Sequence, residues 1–455
     1  MENVVSVVSA VFWGLIVLSI LVFLHEGGHF LAARVCGVRV REFFLGLPSR
    51  FRFSFASKRI GTTFGVTPIL LGGYAAISGM EPEDAALAPR VLAFIHAKGQ
   101  ADIEELAEAL ACTEDEALEA CLSLTNWCSI APIYDEAAGI VPGGKLLPLK
   151  YAALARDRAG NTMFDGRAYT RTEANNEGEP WLYECSDEEL YEQERRRTYA
   201  GVGFWRRALM LLAGIAVNLI TGIIFLVLAY SVFGFSVPQN ENLIGAIQAQ
   251  SPAEKAGLQA HDRILSINDT PTNTWEDLVK ALQHESVDTD IRIRYERAGA
   301  KSDTTAQLGQ DRRLGIEASY ATLRLNPIDS VVFGTKLLIQ TAQHVIQLIQ
   351  PQHTLQVLEQ SSSIVGISAM SAQAAALGPA ALLQFMALIS FSLGFMNLLP
   401  IPPLDGGKLV FEIIQAVSGR TISLRVQSIV SYVGIGVFAL LFVYMLRSDI
   451  LRFFG

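Results

Sequence analysis

Charged residues and cysteines are both scarce in this 455-residue chain. Asp, Glu, Lys and Arg make up 18% of it, against about a quarter in an average soluble protein, while 51% is hydrophobic. This balance is typical of a multi-pass membrane protein that also carries soluble parts. All five cysteines lie between Cys36 and Cys185, so a disulfide framework is excluded from the residues that follow.

Four apolar runs are long enough to cross a bilayer, which takes about 20 residues. They are residues 4–24, 204–232, 380–399 and 426–446. The first run lacks the basic start of a cleavable signal peptide and leads into ionisable residues, so we expect it to be retained. The sequence therefore predicts a polytopic α-helical membrane protein with about four transmembrane helices.

The pattern His25-Glu26-Gly27-Gly28-His29 stands at the inner end of the first apolar run. Positions i and i+4 share a helix face, so the two imidazoles can bind one metal ion while Glu26 takes a proton from the attacking water. A chance match is the alternative. Ionisable groups in a spanning helix cost about 2.5–3.5 kcal/mol each, however, and they are rare there without a role. We therefore predict metal-assisted hydrolysis at membrane depth.

Gly27 and Gly28 separate the two histidines, although each glycine costs a helix about 1 kcal/mol relative to alanine. One interpretation is a groove without Cβ atoms that admits an extended substrate backbone. The other interpretation is close packing against a neighbouring helix. Both are open at this point.

A catalytic zinc ion needs a third protein ligand and an open position for water. Asp405 is the candidate, because it follows three prolines and precedes two glycines at the end of the third apolar run. Irregular backbone of this kind can aim a carboxylate into a cavity. An ordinary helix-capping aspartate is the alternative interpretation.

The two motifs together resemble those of the site-2 protease family of intramembrane zinc metalloproteases, of the bacterial regulator-of-sigma-factor protease type. The complete patterns His-Glu-x-x-His and Asn-x-x-Pro-x-Pro-x-Leu-Asp-Gly occur in the family's order at opposite ends of the chain. The resemblance implies one Zn²⁺ per chain, with the ligands His25, His29 and Asp405. It also implies that Glu26 is the general base.

Two shorter segments extend the resemblance. Leu71-Gly72-Gly73-Tyr74 is similar to the family's glycine-rich strand, and Ala213-Gly214 with Asn218 is similar to a motif of its next helix. The family often has proline where this chain has Ile215. The resemblance implies contacts to substrate from four residues: Asn397, Gly72, Gly73 and Asn218.

Short alternating stretches at 38–44, 51–55 and 62–67 predict a membrane-associated β-hairpin or sheet directly after the metal helix. Together with the first helix, this sheet forms a first region of residues 1–80. An edge of this sheet can hold a locally unwound substrate segment by strand addition. A surface hairpin that only stabilises the first helix is the alternative.

Residues 81–200 form an acidic insert, for which we predict a winged-helix-like α+β fold. We expect helices at 91–97, 103–111 and 113–124, and strands at 130–133 and 138–141. Residues 101–123 contain eight acidic residues and no basic one, the wrong sign for phosphate. We therefore predict a protein partner in the cytosol and no nucleic acid. The family usually has only a short link here.

Residues 243–318 resemble a bacterial PDZ domain through the segments 251–258 and 262–268. His261 stands where that family usually has glycine, at a turn position that histidine tolerates better than most residues. The segment Leu314-Gly315-Ile316 can supply the amides that capture a peptide carboxylate. Peptide recruitment and steric filtering of substrates are both open as its role.

Basic residues around the apolar runs predict the orientation. Arginine and lysine are concentrated after the first run and before the second, which marks those loops as cytosolic. The N-terminus and the PDZ-like domain are then extracytoplasmic, and the insert is cytosolic. Arg447 and Arg452 oppose this orientation, and the majority of basic residues decides it. The remaining regions are a second transmembrane helix at 201–236, amphipathic linker helices at 326–378 and C-terminal transmembrane helices at 379–455.

The sequence thus predicts an intramembrane zinc endopeptidase of the cell membrane that cleaves transmembrane segments of single-span membrane proteins. The resemblance implies regulated intramembrane proteolysis of anti-sigma factors or signal-peptide remnants, after an upstream site-1-type protease has cut the same substrate. The alternative is a non-catalytic membrane adaptor that couples the PDZ-like module to the cytosolic insert, which the intact Glu26 opposes.

Overall fold

The computed structural model describes residues 2–49, 51–70, 72–80, 86–142, 144, 146–286, 289–308, 313–350, 352 and 362–454. The chain separates into two compact units. The first comprises Met1–Leu226 with Val332–Gly455, and the second comprises Val227–Val331. Leu71, in the predicted glycine-rich segment, lies outside the described residues, as do the first residues of the predicted insert.

Four helices of the described chain are long and apolar enough to cross a membrane, as predicted. They cover Val7–Val35, Phe204–Phe233, Pro379–Leu398 and Arg425–Asp449. The first of these helices, α1 (Glu2–Val35), continues well past the predicted end of the run at residue 24. The His-Glu-Gly-Gly-His pattern therefore lies inside a continuous helix rather than at its end. The helix stops before Gly37, whose φ of +78° is typical of a helix C-terminus.

A four-stranded sheet follows α1. Its strands are β1 (Val40–Leu45), β2 (Phe53–Ala56), β3 (Thr63–Val66) and β4 (Gly73–Ile77). The strand order is β2-β3-β1-β4, with β3 parallel and β4 antiparallel to β1. Phe43 of β1 packs against Phe23 and Phe30 of α1, with ring centroids 4.9 and 5.2 Å apart. The three predicted strands lie close to their expected positions, and the edge strand β4 is held beside the metal-motif helix.

The insert is a small α+β fold with one buried core. Its elements are α2 (Ala88–Lys98), β5 (Gln100–Asp102), α3 (Ile103–Leu110), α4 (Glu114–Asn126), β6 (Ile130–Ile133), β7 (Lys150–Ala153) and α5 (Asp187–Arg195). The three strands pair in the order β5-β7-β6. Leu106, Leu124 and Tyr151, none of them exposed, belong to the core that these elements share.

One predicted strand of the insert is wrong. Residues 138–141 form a turn with a single bridge between Asp135 and Ile140, and the strand that pairs with β6 is β7. The Asp135 carboxylate accepts the amides of Ala137 and Ala138, which bends the chain at the point where a strand was expected. In β7, Lys150 is exposed, and Tyr151, Ala152 and Ala153 are buried.

The next helix, α6 (Phe204–Val227), continues as a π-helical turn over Leu228–Phe233. The elements that follow are β8 (Phe235–Pro238), β9 (Ile244–Ile247), α7 (Pro252–Lys255), β10 (Arg263–Ile267), β11 (Thr270–Pro271), α8 (Trp275–His284), β12 (Asp290–Arg297), β13 (Ala300–Gln307), β14 (Ile316–Ala318) and β15 (Tyr320–Leu323). The main sheet has the order β11-β10-β12-β13, and β14-β9 and β15-β8 form two separate pairs. His261 has a φ of +73°, so the predicted turn position is confirmed.

The C-terminal part of the chain is helical. Its helices are α9 (Pro327–Ile349), α10 (Ile364–Ala376), α11 (Pro379–Leu398), α12 (Asp405–Ser418) and α13 (Leu424–Phe454). The proline-rich link after α11 ends at Leu404, and Asp405 is the first residue of α12. This link allows the chain to turn back and present the Asp405 carboxylate toward α1.

Candidate active site

Three side chains from the two ends of the chain converge on one point. His25 Nε2 and His29 Nε2 lie 3.2 Å apart, and each lies 3.2 Å from Asp405 Oδ2. All three residues are at least nine-tenths buried. Among the described residues, they form a group with the chemistry and spacing to hold a metal ion.

The three atoms fit a tetrahedral zinc ion. Zinc–nitrogen and zinc–oxygen bonds of 2.0–2.2 Å place neighbouring ligand atoms about 3.3–3.5 Å apart at a tetrahedral centre. The observed separations of 3.2 Å differ from this by a small amount only. Three protein ligands also leave the fourth position for water or substrate, as a catalytic site requires.

The protonation of His29 supports the same conclusion. Its Nδ1 lies 2.8 Å from the carbonyl oxygen of Met210 on α6, which can only accept a hydrogen bond. Nδ1 therefore carries the proton, and Nε2 presents a lone pair toward Asp405. This arrangement is the one that zinc-binding histidines adopt, with the second nitrogen held by a backbone or carboxylate oxygen.

Asn218 on α6 performs the equivalent task for His25. Its amide nitrogen lies 3.1 Å from His25 Nδ1, while its Oδ1 is buried without a hydrogen-bond partner among the described residues. The opposite amide orientation pairs Oδ1 with the ring N–H of His25 and leaves Nε2 free for a metal. Asn218 is not exposed at all and lies beside His25, and its contact to substrate stays a prediction.

Glu26 lies beside the cluster and is half-buried. Its Oε2 accepts the backbone amide of Ala75 in β4 at 3.2 Å. Gly73, at the start of β4, has its Cβ position 3.8 Å from Glu26 Cγ and 2.8 Å from the carbonyl oxygen of Phe44. The edge strand therefore approaches Glu26 with its backbone, and a side chain at Gly73 would collide with Phe44. Gly72, the other predicted glycine, has a φ of +149°.

The two glycines of the motif have different surroundings. A Cβ at Gly28 would lie 2.6 Å from the carbonyl oxygen of Ala213 and 2.9 Å from Gly214 Cα, so Gly28 allows α1 and α6 to approach closely. A Cβ at Gly27 would meet no atom of the described structure within 4 Å. Helix packing thus explains Gly28, and the space beside Gly27 is available to a substrate backbone.

Gly214 belongs to the segment that is similar to a motif of the family's next helix. A Cβ there would collide with His29 Nε2 and lie 2.8 Å from His25 Cε1. Ile215, at the position where the family often has proline, has a buried side chain. The Met210 carbonyl and the Ala75 amide are backbone groups, so no residue type in the sequence could have revealed their roles.

Asn397 and the 314–316 segment are the remaining predicted site residues. Asn397 is half-buried in the last turn of α11. In the second unit, the carbonyl oxygens of Leu314 and Gly315 accept the amides of Ala253 and Gln248 at 2.9 Å. Gly315 has a φ of +77°, and Ile316 begins β14.

Comparison with known proteins gives the same chemistry. The model of Peptidase family M50 matches residues 13–442. The chain is 26% identical over 453 residues to the regulator of sigma-W protease RasP of Bacillus subtilis, a match that covers 97% of this chain and 98% of that protein. It is 25% identical over 461 residues to the zinc metalloprotease RasP of Geobacillus kaustophilus, covering 100% and 99%. Identity to the zinc metalloprotease RasP of Oceanobacillus iheyensis is 27% over 454 residues, covering 97% and 98%.

The matches extend over nearly the whole chain, including the two motifs and the four membrane-spanning helices. The resemblance to the site-2 proteases is therefore confirmed, together with the zinc cofactor. The chain is a multi-pass intramembrane zinc metalloendopeptidase and belongs to Peptidase family M50.

Proposed function

We propose that this protease cleaves transmembrane segments of single-span membrane proteins, with His25, His29 and Asp405 as its zinc ligands and Glu26 as its general base. The observation that carries the proposal is the convergence of three ligand atoms within 3.2 Å of one another on the buried face of α1. A non-catalytic adaptor has no use for the Glu26 carboxylate beside such a cluster.

The roles follow from position. When bound, zinc polarises the scissile carbonyl and makes water a stronger acid. Glu26 lies one residue after His25 on the same helix, where its carboxylate can remove a proton from the attacking water and return it to the leaving amine. The Ala75 amide donates to one carboxylate oxygen and leaves the other free to face the reacting groups.

The edge strand β4 is the proposed binding surface for substrate. Peptide bonds in a helix are hydrogen-bonded internally and sterically shielded, so a transmembrane segment must become extended before it is cut. In the described sheet β4 pairs only with β1, and its outer edge runs past Glu26 through Gly73 and Ala75. A substrate strand added there lies next to the general base. Asn397 is proposed to contact the same backbone.

The biological role is proposed to be regulated intramembrane proteolysis with anti-sigma factors or signal-peptide remnants as substrates. The name of the Bacillus subtilis relative, a regulator of sigma-W protease, favours the first class. An upstream site-1-type protease is proposed to trim the substrate first. From the distribution of basic residues we propose that the N-terminus and the PDZ-like domain lie outside the cytosol and the insert lies inside it.

For the acidic insert and for residues 243–318 we propose the folds that the sequence predicts. The order of α2, β5, α3, α4, β6 and β7, with the sheet order β5-β7-β6, supports a winged-helix-like insert whose acidic surface binds a cytosolic protein. For residues 243–318 the helix α8 over a four-stranded sheet supports a PDZ-like domain. We propose that it filters substrates by size, with the 314–316 segment as its peptide-binding loop.

Purified Glu26→Gln protein tests the chemistry. It should retain about one zinc ion per chain and cleave a trimmed single-span substrate at least roughly a hundredfold more slowly, as expected for loss of general-base catalysis. Asp405→Ala is the matched comparison, because it should lose zinc as well as activity. Full activity of Glu26→Gln, or full zinc content of Asp405→Ala, would overturn the corresponding assignment.

A further inference from the structure

A second carboxylate of α12 is buried two turns beyond the metal ligand. Glu412 follows Asp405 by seven residues, which brings both side chains to nearly the same face of the helix. Glu412 is 7% exposed, although the neighbouring Ile413 and Ile414 are 43% and 46% exposed. A buried carboxylate is stable only with partners, and its partners indicate what it holds in place.

The partners of Glu412 come from two other segments of the first unit. The Tyr199 hydroxyl donates to Glu412 Oε1 at 3.1 Å. Arg207 Nε, in the first turn of α6, lies 3.2 Å from Glu412 Oε2, as an ion pair. Burial, followed by the charge of Glu412, raises the pKa of Tyr199, so the phenol stays protonated and remains the donor. Glu412 therefore accepts a hydrogen bond from Tyr199 on one side and faces the charge of Arg207 on the other, although Nε and Oε2 do not form a hydrogen bond.

Tyr199 is itself anchored to the sheet. Its backbone amide donates to the Ser78 carbonyl oxygen at 2.7 Å, and the Ser78 amide donates to the Arg39 carbonyl oxygen at 3.0 Å. Arg39 precedes β1, the strand that packs on α1. The contacts from Tyr199 thus connect α12 to the same sheet and helix that carry Glu26 and the two histidines.

The position of Asp405 is sensitive to the rotation of α12. A carboxylate about 5–6 Å from a helix axis moves by about 1 Å when the helix turns by about 10°. Metal–ligand distances tolerate changes of only about 0.2 Å. The link between α11 and α12 contains close backbone contacts, Gly406 with the Leu398 carbonyl and Gly407 with Pro402, but these lie at one end of α12. Leu409 packs against the core cluster that contains Tyr199, and Glu412 adds a polar contact two turns beyond Asp405 that opposes rotation.

We propose that Glu412 is a positioning residue for the zinc site, which sets the rotation of α12 and thereby the place of Asp405, with Tyr199 and Arg207 as its anchors. The inference rests on the proposed function only in that Asp405 is a zinc ligand. Under this proposal the Tyr199–Glu412 contact helps to hold Asp405 in place, although neither residue is itself a metal ligand.

Zinc affinity of the full-length protein, measured by competition with a chelator, tests the proposal. Glu412→Gln and Tyr199→Phe should each weaken zinc binding by about two- to thirty-fold, the range of coupling through packed elements. The double variant should lose less than the product of the two single effects, because both remove the same contact. Gln415→Glu, an equally small change three residues further along α12, should leave the affinity unchanged.

Cobalt substitution supplies a second measurement, since the visible spectrum of bound Co²⁺ reports the geometry of its ligands. The spectrum should change in Glu412→Gln and Tyr199→Phe but not in Gln415→Glu. If both variants keep the wild-type affinity and spectrum while only their melting temperature falls, the contacts among Tyr199, Arg207 and Glu412 only stabilise the helix and the proposal is wrong. Tyr199→Phe removes a single hydroxyl and tests the proposal even if Glu412→Gln does not fold.

Asp405→Ala in the same titration separates the two levels of inference. Loss of zinc affinity in Asp405→Ala with none in Glu412→Gln contradicts the positioning role alone. Unchanged affinity in Asp405→Ala contradicts the ligand assignment itself and with it the proposed function.

Discussion

Three glycines allow backbone to come close to the reacting groups. Gly28 brings α1 against Ala213, Gly73 lets β4 pass close to the Phe44 carbonyl beside Glu26, and Gly214 leaves room for the histidine rings. Each lies at a contact that a methyl group would fill. Glycine weakens a helix or strand by about 0.5–1 kcal/mol relative to alanine, so its presence here reflects the space that the site requires.

Gly214→Ala should therefore damage the metal site directly. The added methyl group would collide with His29 Nε2 and press on His25, so the ligand atoms must separate. We expect zinc affinity to fall by at least about tenfold, the scale seen when a metal ligand loses its support. The measurement is zinc retention against a chelator series.

Gly27→Ala is the matched control within the metal motif. Its methyl group meets no described atom within 4 Å, so zinc affinity should be unchanged and the helix slightly more stable. Cleavage should nevertheless slow if the space beside Gly27 admits substrate. Wild-type cleavage by Gly27→Ala would show that the substrate backbone passes elsewhere, and a loss of zinc by this variant would contradict the observed difference between the two glycines.

The insert is attached to the first strand of the sheet by a buried network of charges. Arg39, which is not exposed, donates to Glu194 on α5 at 2.6 Å and to Asp165 at 2.7 and 2.8 Å. Glu194 also accepts from Arg156 at 2.8 Å and from Ser129 at 2.6 Å. The network thus joins the start of β1, two loops of the insert and its last helix.

Removing one charge from this network should be costly. Glu194→Gln leaves the arginines without their shared carboxylate, and breaking a buried ion pair in this way costs about 3–5 kcal/mol. We expect a large fall in the melting temperature of the full-length protein. Glu188→Gln, on the exposed face of the same helix, should have almost no effect. Equal melting temperatures of the two variants would contradict the structural role of the network.

The same network predicts sensitivity to acid. Burial opposes ionisation of Glu194, but the charges of Arg156 and Arg39 outweigh it and hold its pKa well below the usual range. Burial also opposes ionisation of Asp165, and Arg39 lowers the pKa of that carboxyl. A depressed folded-state pKa contributes stability above the unfolded pKa, about 4, and this stability is lost as the pH falls through the folded value.

Above about pH 5, Glu194 and Asp165 should therefore add almost no pH dependence to the melting temperature. In more acidic buffer the melting temperature should fall. Glu194→Gln should show a smaller acid-dependent shift than the wild type, since it lacks one of the titrating groups. An identical acid profile for both proteins would show that these carboxylates are not ionised in the folded state.

The division of the chain into two compact units suggests separable tasks. The proposed zinc ligands, the proposed general base and the edge strand all belong to the first unit, whereas the proposed PDZ-like domain has a core of its own built from residues such as Ile264, Leu278 and Ile293. Loss of that domain should therefore leave zinc binding intact. What it should change is the choice of substrate.

Deletion of residues 243–318 should permit cleavage of substrates that still carry their outer domain, because a size filter no longer excludes them. Cleavage of trimmed and untrimmed substrates, compared in membranes containing either form of the protease, is the measurement. If the deletion instead abolishes cleavage of trimmed substrates while zinc is retained, the domain recruits substrate.

Much of the protein can be predicted from sequence because local chemistry decides it. Apolar runs of sufficient length become spanning helices wherever they occur, and a His-Glu-x-x-His pattern on a helix places its two histidines on one face. Turn chemistry was harder to predict, since the bend at Asp135 replaced a strand that hydropathy alone favoured. The pairing of β6 with the distant β7 depends on contacts that no short window contains.

What sequence could not supply is the part of the site made by contacts between distant segments. The roles of the Met210 carbonyl and the Ala75 amide depend on where backbone passes, and every residue has those groups. Asn218 lies beside His25 because α6 packs against α1 and buries this side chain completely. The sequence determined which ligands are available. Only the packing of α1, α6, α12 and the sheet decided which atoms meet, because a contact between remote residues depends on the whole set of interactions between those elements.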